Sequence, residues 1–515
     1  MLSVTSLTIG GIFLAFLITK LIYQYQLRKF ARSRGCLPPI LISRWPLGID
    51  TFRESMHNFK NMRFCKMSNG RHVTYGDTFK LNVLGDVVII TRHPENVKAI
   101  LSTQFDEFYL AHRIGGKLDL LLGKHGIFVQ WGPAWAHSRA LLRPQFNKGQ
   151  IVNDMDSLEF HVKRMISLLP DNKVFDIQPY FFALTMDTAT EFLFGESVES
   201  LLTEKGDEPA KGTFPEAFNT ASWWISKKVK FGPWHWAVGN KETARGCEIS
   251  RNFVGKFVDK ALAMDPGKKK EGEQKYVFLN ALAEEYKDRT ILTDQIINIL
   301  LAGRDTTAAL LAFVMWFLAR NKRVWHKLRA EVLERVGKEN KPTWEIIKDM
   351  KYLKYVLNET LRLLPAVPMN TRSAAKRTTL PCGGGPDQKS PIVVEKNSLI
   401  HYSVYSMHRR REVYGDDAEE FNPDRWETLK PGAWDYLPFN GGPRICLGQQ
   451  YALNEASYAI IRVLQKYQDI VAIDPDTGKE VPGWGEDKTD KMFKERLGLT
   501  LSSMDGVHVR LTPTA

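Results

Sequence analysis

The stretch Phe439 to Gly448 (FNGGPRICLG) runs straight into the apolar-periodic segment QQYALNEASYAIIRVLQKY, and it constrains the chain more than any other. It sets a cysteine after two glycines and an arginine, at the mouth of a helix. Free N–H groups and the dipole at a helix N-terminus stabilise an anion. The placement therefore predicts that Cys446 ionises readily and can serve as a thiolate metal ligand. Gly441, Gly442 and Gly448 lack a Cβ, which lets backbone approach a flat, bulky cofactor. A buried structural cysteine is the alternative these residues leave open. The other four cysteines, Cys36, Cys65, Cys247 and Cys382, are scattered and form no C-x-x-C pair. That spacing argues against a disulfide framework or structural zinc site and suits a reducing compartment.

Phe439, Gly442, Arg444, Cys446 and Gly448 match the pattern F-x-x-G-x-R-x-C-x-G, and here the sequence resembles the cytochrome P-450 family. The resemblance implies a mainly α fold, a helical haem-binding domain with small β-sheets. It implies haem b held with Cys446 as the axial thiolate on iron, Phe439 beside the cofactor and Arg444 pairing with a propionate. Trp135 and Arg139, four apart and so on one helix face, match the family's W-x-x-x-R helix. Arg372, in VPMNTRSA, matches a third propionate-pairing arginine.

A second segment tests the idea. Gln295 to Arg320 reads as a long helix, apolar nearly all round and hence buried, with Thr293 or Asp294 as N-cap. Its middle holds Ala302-Gly303-Arg304-Asp305-Thr306, and buried polar side chains need a reason. One reason is a threonine bonding back to the Ala302 carbonyl. The resemblance supplies another: an oxygen-binding groove in which Gly303 opens space and Asp305 with Thr306 relays protons. Glu359-Thr-Leu-Arg362 and Phe421-Asn-Pro-Asp-Arg425-Trp426 likewise imply a buried ion network of Glu359, Arg362 and Arg425, with Asp424 where glutamate is commoner. The same E-x-x-R spacing recurs at Glu242 to Arg245, so spacing alone is weak evidence. His137 and His408 read as solvated or structural.

Near the start, Leu2 to Thr19 is an uncharged run of 18 residues, about 27 Å as a helix against a bilayer core of about 30 Å. Basic residues follow it, and no A-x-A site does, which favours an uncleaved anchor over a signal peptide. Six of the thirteen excess positive charges precede Asp50. By the positive-inside rule they keep the body cytosolic, at the endoplasmic reticulum membrane. The expected organisation is a transmembrane segment (1–24), a basic, proline-containing linker (25–50) and one catalytic domain (51–515). In that domain Phe79 to Ile90 reads as strand, turn, strand, with Gly85 and Asp86 at the turn, and Gly383 to Gly385 as a mobile turn. No basic, aromatic-interleaved repeat points to nucleic acid.

HSRALLRPQF, TATEFLFGESVESL, NILLAGRDTTA and LPCGGGPDQKSPIVV resemble the fungal alkane- and fatty-acid-hydroxylating group. The resemblance implies a monooxygenase that uses O2 to hydroxylate long chains at or near the terminal carbon. A tailoring oxidase of a fungal secondary-metabolite pathway is the alternative within the family. A haem isomerase, lyase or sensor is the alternative outside that chemistry, and Asp305 with Thr306 argues against it. Ala302 stands where some fatty-acid relatives carry a haem-esterifying glutamate, so covalent attachment is not expected. Only 69 residues follow Cys446, too few for a flavin domain. Electrons must then come from a separate NADPH–cytochrome P-450 reductase, docked on a basic face, with cytochrome b5 left open as a second donor. Phe108 to Phe128, Phe214 to Val238 and Leu499 to Asp505 are the expected pocket-lining regions.

Overall fold

The computed structural model describes residues 4–514 apart from 111, 148, 150–153, 205, 208, 231–234, 237, 265–275 and 484–492. Helices dominate, with small sheets at one side. The organising element is the 30-residue helix Arg289–Leu318. It packs against the helices Gln178–Phe194, Lys241–Leu262, Lys351–Leu363 and Gln449–Lys466. An apolar surface all round is stable only when it is covered all round, and these neighbours cover it.

The helix starts earlier than the sequence suggests. Asp288 is the N-cap, its side chain accepting from the backbone N–H groups of Thr290 and Ile291 at 2.8 and 2.9 Å. Asp294, one of the two expected caps, lies inside the helix and is ion-paired to Arg251 at 2.7 Å. A partner 43 residues upstream, invisible in the local pattern, claims that carboxylate.

Two hydrophobic cores meet on this helix. Leu292, Ile296, Ile297, Leu300 and Leu301 belong to one, with Leu121, Phe192 and Phe218. Ala308 to Ala319 belongs to the other, with Leu361, Ile460 and Leu464. Each large apolar side chain so buried contributes about 1.5–3 kcal/mol. Residues 302–306 belong to neither core, so the helix crosses the seam there.

The main sheet orders its strands as Ile40–Leu41, Thr78–Val83, Asp86–Thr91, Leu399–Ser403, Met369–Ala374 and Phe108–Leu110. The expected hairpin is present, with Leu84 and Gly85 as its turn and Asp86 already opening the second strand. The glycine run is not a loop. Gly383 and Gly384 lie in the strand Thr378–Gly384, paired with Ser390–Val394. A Cβ on Gly384 would sit 2.6 Å from the Leu37 carbonyl oxygen, so glycine there admits the incoming N-terminal chain.

That incoming chain begins as the helix Val4–Ser33, which passes without a break through the boundary expected at residue 24. Ile12, Phe13, Phe16 and Leu21 are exposed along it. Its last turns meet the body, where Arg377 lies over Tyr23 and Phe30. The expected linker is structured too: Leu37 N–H donates to the Pro391 carbonyl, and Ile40–Leu41 joins the sheet beside Phe79. Among the described residues, the one helix that meets the length and hydropathy of a bilayer crossing is Arg289–Leu318, and most of it is buried as a core helix.

Candidate haem site

The long helix is buried on both sides of the seam, yet Ala302, Gly303, Asp305 and Thr306 are only half-buried. A Cβ built on Gly303 would meet nothing within 4 Å. A helix buried at both ends but half-exposed in its middle lines an accessible void between the two cores. Thr306 Oγ1 donates to the Ala302 carbonyl at 2.6 Å, the local satisfaction the sequence allowed. The hydroxyl oxygen keeps its capacity to accept. Asp305 meets the Arg304 guanidinium at 3.1 Å. Burial pushes its carboxyl above the usual range, against the opposing pull of Arg304 and Arg496.

The cysteine loop spans the same seam, with Phe439 packed against one core and Leu447 against the other. Cys446 N–H donates to the Phe439 carbonyl at 3.0 Å and closes the loop, and the helix begins three residues later at Gln449. Cys446 is exposed by area, yet protein surrounds it closely enough that burial pushes its thiol up. Together these place the sulfur on the wall of a void. The Gly448 backbone and the charge of Arg139 pull the other way and do not prevail. Burial and the helix start thus act on this thiol in opposite directions.

Two of the three glycines serve other ends than the sequence suggests. Gly442 has φ of 64°, and a Cβ there would fall 2.0 Å from the Leu101 carbonyl oxygen. Its freedom is spent on a left-handed turn against the protein's own backbone. Gly441 faces Trp434. Gly448 has room, its nearest foreign atom being on Phe146 at 3.7 Å.

Around the void stand three arginines. Arg444 lies over the ring of buried Trp135 at 4.3 Å, and Arg139 over the same ring at 5.8 Å. Arg444 donates to the Gln130 carbonyl at 3.0 Å, and buried Arg372 to the Thr371 carbonyl at 2.8 Å. None of the three pairs with a carboxylate among the described residues. Burial, then the charges of Arg372 and Arg139, hold the Arg444 guanidinium down to about 9. Clustered, partly buried cations without a counter-anion are costly unless an anion arrives. The residues therefore fit a planar group that carries carboxylates and seeks a sulfur ligand.

Behind the loop, Glu359 and Arg362 are fully buried and paired at 2.9 Å, and Arg425 reaches the same carboxylate at 2.9 Å. The second E-x-x-R copy, Glu242 and Arg245, lies exposed. Asp424 faces outward to Arg323 and Lys327. His408 is structural: its Nε2 accepts from Leu437 N–H at 2.8 Å, and burial lowers its pKa to about 3. His137 is exposed and meets the Tyr286 hydroxyl at 2.6 Å.

The cytochrome P450 family model, written here as cytochrome P-450, matches residues 52–482. The chain belongs to the cytochrome P-450 family. It is 43% identical over 486 residues to cytochrome P-450 52A12 of Debaryomyces hansenii, covering 90% of this chain and 93% of that protein. It is 45% identical over 427 residues to cytochrome P-450 52A10 of Candida maltosa, 80% and 81% of the two chains. It is 38% identical over 527 residues to cytochrome P-450 monooxygenase himC of Aspergillus japonicus, 99% and 90%. As a cytochrome P-450 it is a haem-thiolate monooxygenase that uses haem b, O2 and electrons from NADPH through a reductase.

For this cytochrome P-450, sequence reasoning gave Arg304 no role. The structure buries it against Asn219 Oδ1 at 2.5 Å, with Phe182 and Phe218 under its guanidinium. A cation in an otherwise apolar helix was the available signal. Gln130 and Tyr402 were also missed. Tyr402 is fully buried and donates to Asn440 at 3.1 Å, and Asn440 stands in the cysteine loop with φ of 63°.

Proposed function

We propose that Cys446 is the thiolate ligand of haem iron, with Arg139, Arg372 and Arg444 receiving the propionates and Trp135 and Phe439 flanking the ring. The uncompensated arginine cluster beside an accessible sulfur carries this reading. Bound there, haem would supply dioxygen activation, one oxygen atom entering a C–H bond and the other leaving as water, with two electrons from NADPH and two protons, at least one of them from solvent. The chain's own residues orient and protonate. Asp305 Oδ and Thr306 Oγ1, adjacent on the half-buried stretch of the long helix, relay protons into the void.

Thr306→Ala is expected to keep NADPH oxidation while product falls by about tenfold or more, within the range that positioned proton transfer contributes. The measurement is moles of product per mole of NADPH. Unchanged coupling would remove Thr306 from the relay.

The substrate is a long, apolar chain, hydroxylated at or near its end. The apolar walls of the seam and the pocket-lining expectation support this. The Val4–Ser33 helix anchors the enzyme in the endoplasmic reticulum membrane, with its exposed apolar residues in lipid and the body on the cytosolic side, where lipid-borne substrates are close at hand. Product analysis with membranes, reductase and a panel of alkanes, fatty acids and polyketide-like lipids tests it. Terminal alcohols from the first two groups are expected. Turnover of the polyketide-like lipids alone would favour a tailoring oxidase.

A further inference from the structure

Asp294, Gln295 and Asn298 are polar side chains in a largely apolar, buried helix, and each is 1% exposed or less. Burial of such groups costs free energy that hydrogen bonds must offset, and apart from Gln295 Oε1, which is buried without a partner, their bonds show what they are for. All three reach one segment, 122–128, through its backbone. Asp294 Oδ2 accepts from His125 N–H at 3.0 Å. Gln295 Nε2 donates to the His125 carbonyl at 2.6 Å. Asn298 does both, donating to the Leu122 carbonyl at 2.9 Å and accepting from Phe128 N–H at 3.1 Å. Arg251, ion-paired to Asp294, adds a bond to the Leu121 carbonyl at 3.0 Å.

Glycine makes the approach possible. A Cβ on Gly126 would lie 1.9 Å from Asn298 Nδ2, and one on Gly123 would lie 1.9 Å from Asp294 Oδ1. Because the fastening uses backbone, the segment's side chains remain available. Lys124, His125 and Phe128 are exposed, Phe128 at 41%.

The far end of the segment is fastened to the opposite wall. Gln295 Nε2 also donates to Ser138 Oγ at 2.7 Å, and Ser138 Oγ donates to Gln130 Oε1 at 2.5 Å. The Gln130 carbonyl accepts from Arg444 of the cysteine loop. Asn298 lies four residues, about one turn, before Ala302, where the void opens. The segment thus links the long helix, one turn before its half-buried middle, to the cysteine loop's arginine.

We infer that Asp294, Gln295 and Asn298 are positioning residues that latch segment 121–130 as a wall of the substrate chamber and so set how tightly the chain substrate is held. This rests on the void being the haem and substrate chamber. The latch holds the wall in register with Asp305 and Thr306 on the same helix, and loosening it admits alternative substrate poses.

The test uses the full-length, haem-loaded chain. Asn298→Ala is expected to raise amide hydrogen exchange across 121–130 by about tenfold while leaving the thiolate-type carbonyl spectrum intact. The spectral dissociation constant for dodecanoic acid should rise severalfold. Gly126→Ala should loosen the same segment from the other side. In the Asn298→Ala background it should add nothing, because the side chain it strikes is gone. Unchanged exchange in 121–130, additive effects in the double variant, or a general rise in exchange with loss of haem would each overturn the latch. Absence of the carbonyl spectrum in the unaltered protein would instead overturn the haem reading on which it rests.

Discussion

Cys446→Ala is expected to lose the carbonyl band specific to thiolate-ligated haem and to reduce hydroxylation to background, while Cys382→Ala leaves both unchanged. The loss should be complete because, among the described residues, nothing else at the site can replace the sulfur. Cys36, Cys65 and Cys247 are buried elsewhere, and Cys382 is half-buried in a strand paired with Ser390–Val394. His408 has one ring nitrogen accepting from Leu437 N–H and the other facing the Arg362 carbonyl. His137 is occupied with Tyr286 on the surface. Difference spectra of the reduced, carbonylated protein provide the measurement. A thiolate band that persists in Cys446→Ala would remove the ligand assignment, and with it the proposed roles of the surrounding arginines.

The features legible in the sequence were those whose chemistry is contiguous. The cysteine loop, the W-x-x-x-R helix and the polar middle of the long helix each hold their residues within one or two turns. The pleat of Phe79 to Ile90 was readable for the same reason. What failed to show was tertiary. Gly442 is held by the Leu101 carbonyl, and Gly384 by Leu37. Asp294 resembles an N-cap until Arg251 and His125 N–H claim it. The E-x-x-R pair shows the limit most directly, since two copies of one spacing came out as opposites, one fully buried and the other exposed.

That contrast sets the size of a second expected result. Glu359→Ala should destabilise the protein by about 3–5 kcal/mol, whereas Glu242→Ala should stay within about 0.5 kcal/mol. The Glu359 carboxylate accepts five hydrogen bonds, each 2.9 Å: two from Arg362 and one each from Arg425 Nε, Trp426 Nε1 and Asn422 N–H. Removing it strands the wholly enclosed Arg362 guanidinium, while Arg425 keeps Asp417 at 2.9 Å, and uncompensated buried charge is the costly outcome. Arg362 in turn donates to the carbonyls of His408, Ala418 and Glu420. His408 holds Leu437 N–H, and the Tyr436 hydroxyl donates to the Asn358 carbonyl at 3.0 Å, which fixes the chain just ahead of Phe439. The damage should therefore reach the cysteine loop as well as the melting temperature. A loss of this size is a large share of a typical stability of about 5–15 kcal/mol. It should lower Tm by about 3–5 °C and reduce the haem retained after purification. Glu359→Gln, which keeps two acceptor sites but turns an amide N–H2 toward a guanidinium, should fall between. A Glu359→Ala protein with unaltered Tm and full haem content would mean that the loop is held by its own backbone, with the ion network behind it dispensable.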